Sequence, residues 1–255
     1  MRGTGLALTM LLAAACAGAA GQGTTTPTGD RPNTLLVVTH TAGFRHDSIP
    51  TAEATLAALG DRSGLFAVRY GRNAADVARL LTPEALQDVD AVFFANTTGE
   101  LGLPDLDAFF AWVRGGGGFL GAHSASDTYH GEPRYIEMLG AEFNTHGSQA
   151  EVDVRVDAPD HPATAGLGTR FTIFDEIYHF TDNNRGRVNM LLSLDRAPDD
   201  GLPGANQPAD MPIAWTTTYG SGRVFYTALG HRGDVWQDAR FQTHLLGAIR
   251  WATGN

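Results

Sequence analysis

The chain has 255 residues, 43% of them hydrophobic, and a formal net charge of −10. That acidic balance argues against nucleic acid or anionic lipid as a partner. Cys16 is the only cysteine, and none of the 18 basic residues is lysine. Intramolecular disulfides, thiolate metal sites and lysine Schiff-base chemistry are therefore excluded.

Residues 1–20 read as a signal peptide: Arg2, an apolar run from Leu6 to Ala15, then small residues through Ala20. The run is well short of the ~20 residues that a spanning helix needs. An exported protein is expected, either periplasmic or lipid-anchored at the cell envelope, with membrane contact only through the anchor. Cys16 follows Leu12-Ala13-Ala14-Ala15 and is the candidate lipidation site, the lipoprotein signal then ending before it. Ala13-Ala14-Ala15 and Ala17-Gly18-Ala19 suit an ordinary signal peptidase instead. Residues 21–33 read as a tether, and one domain is expected over 34–253.

Within that domain Thr34–Thr39 predicts a strand, the polar loop HTAGFRHDS follows, and Ile49–Leu59 has helical spacing. The same grammar repeats with Phe66–Tyr70 as strand, Asn73–Leu81 as helix, Ala91–Ala95 as strand, loop NTTGEL, and Pro104–Arg114 as helix. A short buried strand at Gly118–Ala122, a helix at Pro133–Leu139 and a strand at Ala141–Phe143 come next. Glu151–Val156 alternates like an exposed-edge strand, and Asn189–Leu194 looks buried. Ile213–Thr218 and Arg223–Leu229 form a hairpin around Tyr219-Gly220-Ser221-Gly222, and Arg240–Ala252 is an amphipathic helix. Alternating strands and helices imply an α/β fold, a mostly parallel sheet with helices on both faces. In such folds the loops at the carboxyl ends of the strands form the ligand crevice.

Histidine carries the functional signal, because several of the nine fall in those loops. His46, His123 and His231 each follow a strand with polar companions, and His146 and His179 sit in FNTHG and DEIYHF. An imidazole transfers protons near neutral pH or, when neutral, binds a metal. His161 and His244 read as structural, and His40 and His130 as rim residues. Ser48 is expected to N-cap the helix starting at Ile49. Zinc, manganese or iron could be held by His46, His123 and His231, although no HxxxH or HExxH spacing marks such a site; the cofactor is left open as a divalent metal or none. Phe44, Tyr129, Tyr178 and Trp236 are candidate platforms for a sugar ring, with core packing as the bland alternative.

The stretches THTAGFRHDSI, NTTGEL, GGFLGAHSASDT, GAEFNTHG, DHPATAGL, FDEIYHF and PIAWTTTYGSGRVFYTALGHRGDVW, taken together and in this order, resemble the ThuA-like (trehalose utilisation) family. The resemblance spans about Leu35 to Gly254. It implies a flavodoxin-like, class I glutamine amidotransferase-like three-layer sandwich. There the elbow Gly121-Ala122-His123-Ser124-Ala125 puts His123 where the amidotransferases carry a cysteine, so no glutaminase activity is expected. It also implies a small carbohydrate as partner, a disaccharide or keto sugar, and a sugar oxidoreductase of the same pathway. Acid/base or metal-assisted isomerisation, elimination or hydrolysis would use His123 and His46 as base or ligand. His231 would be the second acid/base, and Glu176 or Asp127 the orienting carboxylate. Arg45, Thr97, Thr98 and Tyr129 are expected to contact substrate, as are His146, Tyr178, His179 and Trp236. A non-catalytic carbohydrate-binding module and a metal-dependent hydrolase are the rival readings.

Overall fold

A computed structural model describes residues 31–254, with Met1 and Gly3. Cys16, nearly all of the expected signal peptide and most of the tether lie outside the described residues. One compact unit begins at Pro32 and takes in the described residues that follow it. Its strands are β1 (Asn33–Val38), β2 (Phe66–Gly71), β3 (Ala91–Ala95), β4 (Gly118–Ala122), β5 (Phe143–His146), β6 (Ala150–Val156), β7 (Arg170–Asp175), β8 (Tyr178–Phe180), β9 (Asn189–Arg196), β10 (Pro208–Tyr219) and β11 (Gly222–Thr227). Its helices are α1 (Ile49–Ser63), α2 (Ala74–Leu80), α3 (Pro83–Leu86), α4 (Leu106–Arg114), α5 (Pro133–Leu139), α6 (Gly233–Gln237) and α7 (Ala239–Thr253). Among the described residues no helix is long and apolar enough to cross a membrane.

Nine strands form one sheet in the order β2-β1-β3-β4-β11-β10-β9-β6-β7. The five from β2 to β11 are parallel, and each later neighbour pairs antiparallel. Central strands β3 and β4 are buried at every residue, as sheets covered on both faces require. Two apolar cores result. Residues of α1, α6 and α7 pack on one face of the sheet, and residues of α2, α3, α4 and α5 on the other.

Three sequence expectations are corrected here. Glu151–Val156 is not the sheet edge: β6 lies between β9 and β7, and its alternating burial reflects one covered and one open face. The Ala141–Phe143 strand is displaced to Phe143–His146 and pairs with β8 in a separate two-stranded sheet. Ser48 makes no side-chain cap on α1; Pro50 sits in the first turn of that helix, and Gly64 at φ 65° closes it.

Helix α7 approaches the 162–163 backbone so closely that a Cβ at Gly247 would overlap the Pro162 carbonyl. That contact lets His244, 1% exposed, bond through Nδ1 to the Ala163 carbonyl at 2.7 Å. Burial lowers the His244 imidazole to about 4, against the pull of that bond. A depressed pKa means that the unfolded chain takes up its proton first. The stability held above pH 6.5 is then lost as pH falls toward 4, on the order of 3 kcal/mol for a shift of this size. In urea titrations between pH 7.5 and 4, a His244→Leu variant should show a shallower decline of stability than the parent. An unchanged slope would place the acid sensitivity elsewhere.

Candidate functional site

Strands β1, β3, β4 and β11 run in one direction and end at the same sheet edge. From β11 through β10, β9 and β6 to β7 the direction reverses four times. Strand β7 therefore also ends there, delivering Asp175 and Glu176 next to the loops that carry His46, His123 and His231.

His123 opens a 3-10 turn, His123–Asp127, directly after β4. Its φ of 49° lies in the left-handed region, an uncommon state for a residue with a side chain and one that concentrates at functional turns. The ring is fully buried, and Nδ1 lies 2.9 Å from the Ala228 carbonyl. A carbonyl only accepts, so a neutral His123 keeps its proton on Nδ1 and presents a bare lone pair at Nε2. That lone pair faces Glu176 Oε1 at 3.5 Å and His231 Nδ1 at 3.3 Å. His231 Nδ1 is itself 3.3 Å from the same carboxylate oxygen. Lone pairs facing one another in a buried site repel unless a proton or a metal cation lies between them.

His46 completes the group. Its ring lies edge-on to His123 at 4.8 Å and to His231 at 5.2 Å between centroids. One ligand atom from each of His46, His123, Glu176 and His231 lies within 4.8 Å of the others. Ligands ~2.1 Å from a tetrahedral metal stand roughly 3.4 Å apart, close to the three separations just given. Burial first, then His123 and His231, lowers the His46 imidazole to about 3, so it is a neutral donor at physiological pH. Burial opposes ionisation of Glu176, but His123 and His231, when a proton on either ring faces the carboxylate, outweigh it and hold the carboxyl below its usual range. The bond to Glu176 raises His231. Three imidazoles and a carboxylate suit zinc, iron or manganese.

The loop before His231 is held from four directions. The Gly230 carbonyl accepts from Asn96 Nδ2 at 2.8 Å, Trp236 Nε1 at 2.8 Å and Ser48 Oγ at 3.3 Å. Its amide donates to Asp175 Oδ2 at 2.7 Å. Gly230 has φ 121° with the indole packed against it, so only glycine fits there readily. Asn96 and Gly230 escaped the sequence reading; the one available signal was an asparagine at a strand end, a residue that tolerates the left-handed φ of 56° found there.

His146 lies at the solvent side, with Nδ1 3.0 Å from Glu176 Oε2 and 2.9 Å from the Gly147 carbonyl. Both are acceptors, so the proton belongs on Nδ1 and Nε2 is left with a lone pair.

Of the other candidates, Tyr178 and Phe44 touch this centre and the rest are turned to other partners. Asp127 ends the 3-10 turn and faces His130 at 3.6 Å rather than the imidazole group. Glu176 therefore stands alone in the carboxylate position. His179 alternates with Tyr178 along β8 and points to Asp200, 2.9 Å away. Tyr178 is buried under the His123 ring at 4.2 Å. Trp236 and Tyr129 offer no face to a sugar. The indole is fully buried against Phe93 and Phe241, and Tyr129 is buried beside Tyr135 with its hydroxyl pushed up to about 12 by burial. Thr97 bonds Thr128, Thr98 donates to the Phe44 carbonyl, and Arg45 donates to the Thr39 carbonyl, so all three tie loops together. Phe44 alone of the four aromatic candidates is exposed, at 67%, and its ring lies 4.9 Å from His46.

Among solved structures, a ThuA-like protein from Parabacteroides merdae superposes with a TM-score of 0.69 at 20% identity, covering 88% of this chain and 90% of its own. A ThuA-like protein from Bacteroides uniformis gives 0.69 at 22% identity, covering 90% and 95%. A β-galactosidase from Bacillus circulans is similar at a TM-score of 0.55 and 12% identity over 87% of this chain, which corresponds to 31% of that enzyme. At these identities the likeness is one of fold. No curated protein matches in sequence. The trehalose utilisation (ThuA) family model matches residues 34–252, nearly all of the compact unit, and the chain belongs to that family.

Proposed function

We propose that this protein is an exported, metal-assisted enzyme of disaccharide or keto-sugar utilisation. Its divalent ion would be held by His46, His123, His231 and Glu176. The observation that carries the reading is the convergence of four ligand atoms within 4.8 Å, three from buried residues and one from the half-buried His231, around an imidazole whose outer nitrogen is fixed on a backbone carbonyl. Metal-binding histidines are oriented by such bonds. The family's description, trehalose utilisation, supports a carbohydrate substrate.

Held by His46, His123, His231 and Glu176, a divalent ion would supply Lewis-acid polarisation of a carbonyl or glycosidic oxygen. The chain's own residues supply the rest. His146, with its proton on Nδ1 and Nε2 open, is the base that takes a proton from a carbon beside a keto group or from water. Glu176 Oε2 holds that ring in place at 3.0 Å. Phe44 offers the apolar face of a sugar ring a surface beside His46. A keto-sugar substrate requires an oxidation upstream, so a sugar oxidoreductase is the expected pathway partner. Glutaminase chemistry is not part of the proposal, because the elbow carries His123 and the domain has no cysteine.

Two outcomes test this reading. Protein purified without chelator should hold about one transition-metal ion per chain by elemental analysis. His123→Ala should weaken metal affinity by more than the roughly 100-fold that outer-shell changes cost. Parent protein that stays metal-free after incubation with zinc, manganese or iron would overturn the metal centre. In turnover of oxidised disaccharides, Phe44→Ala should raise KM by roughly 2–10-fold with kcat little changed. A loss confined to kcat would assign Phe44 a different part.

A further inference from the structure

The backbone of His123, at φ 49°, lies in the left-handed region. A residue with a side chain stays there only where its surroundings over-determine the conformation. Strand β11 supplies two such constraints. It runs beside β4 with Tyr226 opposite Gly121 and Thr227 opposite Ala122. The next residue, Ala228, therefore comes level with His123, and its carbonyl meets the ring nitrogen. From two residues back, the Tyr226 hydroxyl reaches forward and donates to the His123 carbonyl at 2.7 Å. One strand thus grips the same residue by its ring and by its main chain.

The reach of the phenol is built into both strands. A Cβ at Gly121 would stand 3.1 Å from the Tyr226 ring, so the glycine leaves that ring room to lie across β4. The ring is fully buried and packs on Trp215 at 4.6 Å between centroids, and the indole donates to the Leu139 carbonyl at 2.7 Å. Ser126 Oγ, 2.9 Å from the phenol oxygen and 3.3 Å from the same carbonyl, closes the group. A hydroxyl lodged this way cannot follow the carbonyl if it moves. Relaxing His123 toward right-handed φ would swing its carbonyl off the phenol, and the imidazole would turn with it.

A neighbouring bond gives the contrast. The Tyr135 hydroxyl, also buried, donates to the Ala125 carbonyl at 2.7 Å in the same 3-10 turn. Both phenols hold the turn, but Tyr226 alone holds the peptide of the ligand. We propose that Tyr226 is a positioning residue for His123, its hydroxyl keeping that peptide left-handed and so aiming Nε2 at the centre. The proposal rests on the metal reading above and adds a residue, outside the ligands, on which the aim of one of them depends.

The test compares Tyr226→Phe with Tyr135→Phe, each of which deletes one buried phenol bond from the turn and keeps the ring. Two quantities are measured on parent and variants. One is solvent exchange of the His123 Nδ1 proton, followed by NMR in metal-free protein with isotope-labelled histidine and identified by its loss in His123→Gln. The other is zinc affinity, by competition with a chelator. Tyr226→Phe should speed the exchange at least about tenfold and weaken zinc by roughly 10–100-fold, the range for outer-shell partners. Tyr135→Phe should leave both within about threefold of the parent, below that range. A merely structural role would move the two variants alike, and that result, or parental values in Tyr226→Phe, overturns the proposal. If Tyr226→Phe does not fold, Ser126→Ala decides: removing the weaker arm of the same group must shift both quantities in the same direction, and parental values overturn the proposal. A parent that binds no zinc, with exchange quickened in Tyr226→Phe alone, removes the metal centre and leaves the positioning role standing.

Discussion

The hydrogen bond between His123 Nδ1 and the Ala228 carbonyl, 2.9 Å long and wholly buried, is the constraint on which the rest of the site depends. It settles which nitrogen of a neutral ring carries the proton, and so sends a lone pair toward Glu176 and His231. Without it the ring could turn, and the same residues would form an ordinary hydrogen-bonded cluster. The strands that bear its two partners, β4 and β11, are parallel neighbours. The bond thus spans one strand spacing at the carboxyl edge, where main-chain pairing fixes the distance to be bridged.

A second layer of fixed groups extends that constraint to His231. Three donors converge on the Gly230 carbonyl from the β3 end, the loop before α1 and helix α6, while Asp175 at the β7 end holds its amide. Strand ends from both halves of the sheet and two elements of one face therefore meet at one residue. Asp175 is fully buried with Oδ1 unpartnered among the described residues, and burial raises its carboxyl above the usual range. This arrangement resembles the way enzymes position reactive groups generally: the ligating side chains are few, and most of the buried polar groups serve to hold them.

How much of this was legible in the sequence follows from period and direction. The strands Ala91–Ala95 and Gly118–Ala122 and the helix Pro133–Leu139 coincide with their apolar runs, because such runs bury on contact with either face. The loop positions of His46, His123 and His231 followed from topology alone, since residues after parallel strands share an edge. Side-chain direction did not follow. Tyr178 and His179 are adjacent yet face opposite ways, and Asp127 is carried off by a 3-10 turn that no spacing announced. For Trp236 the sequence leaves sugar platform and core packing both open, because exposed and buried tryptophans share one letter; its bond to Gly230 shows that it is a clamp. The short strands β7 and β8 were missed for lack of a long apolar run, and with them the route that brings Glu176 to the centre.

X-ray absorption at the metal edge of the loaded protein addresses the central claim most directly, because it reads the ligands rather than the occupancy. The account requires a first shell with about three imidazole nitrogens, marked by the outer-ring scattering that histidine produces, plus at least one oxygen. That imidazole signal should fall by about a third in His123→Gln. A shell of oxygens alone, or an imidazole signal that His123→Gln leaves untouched, would contradict it.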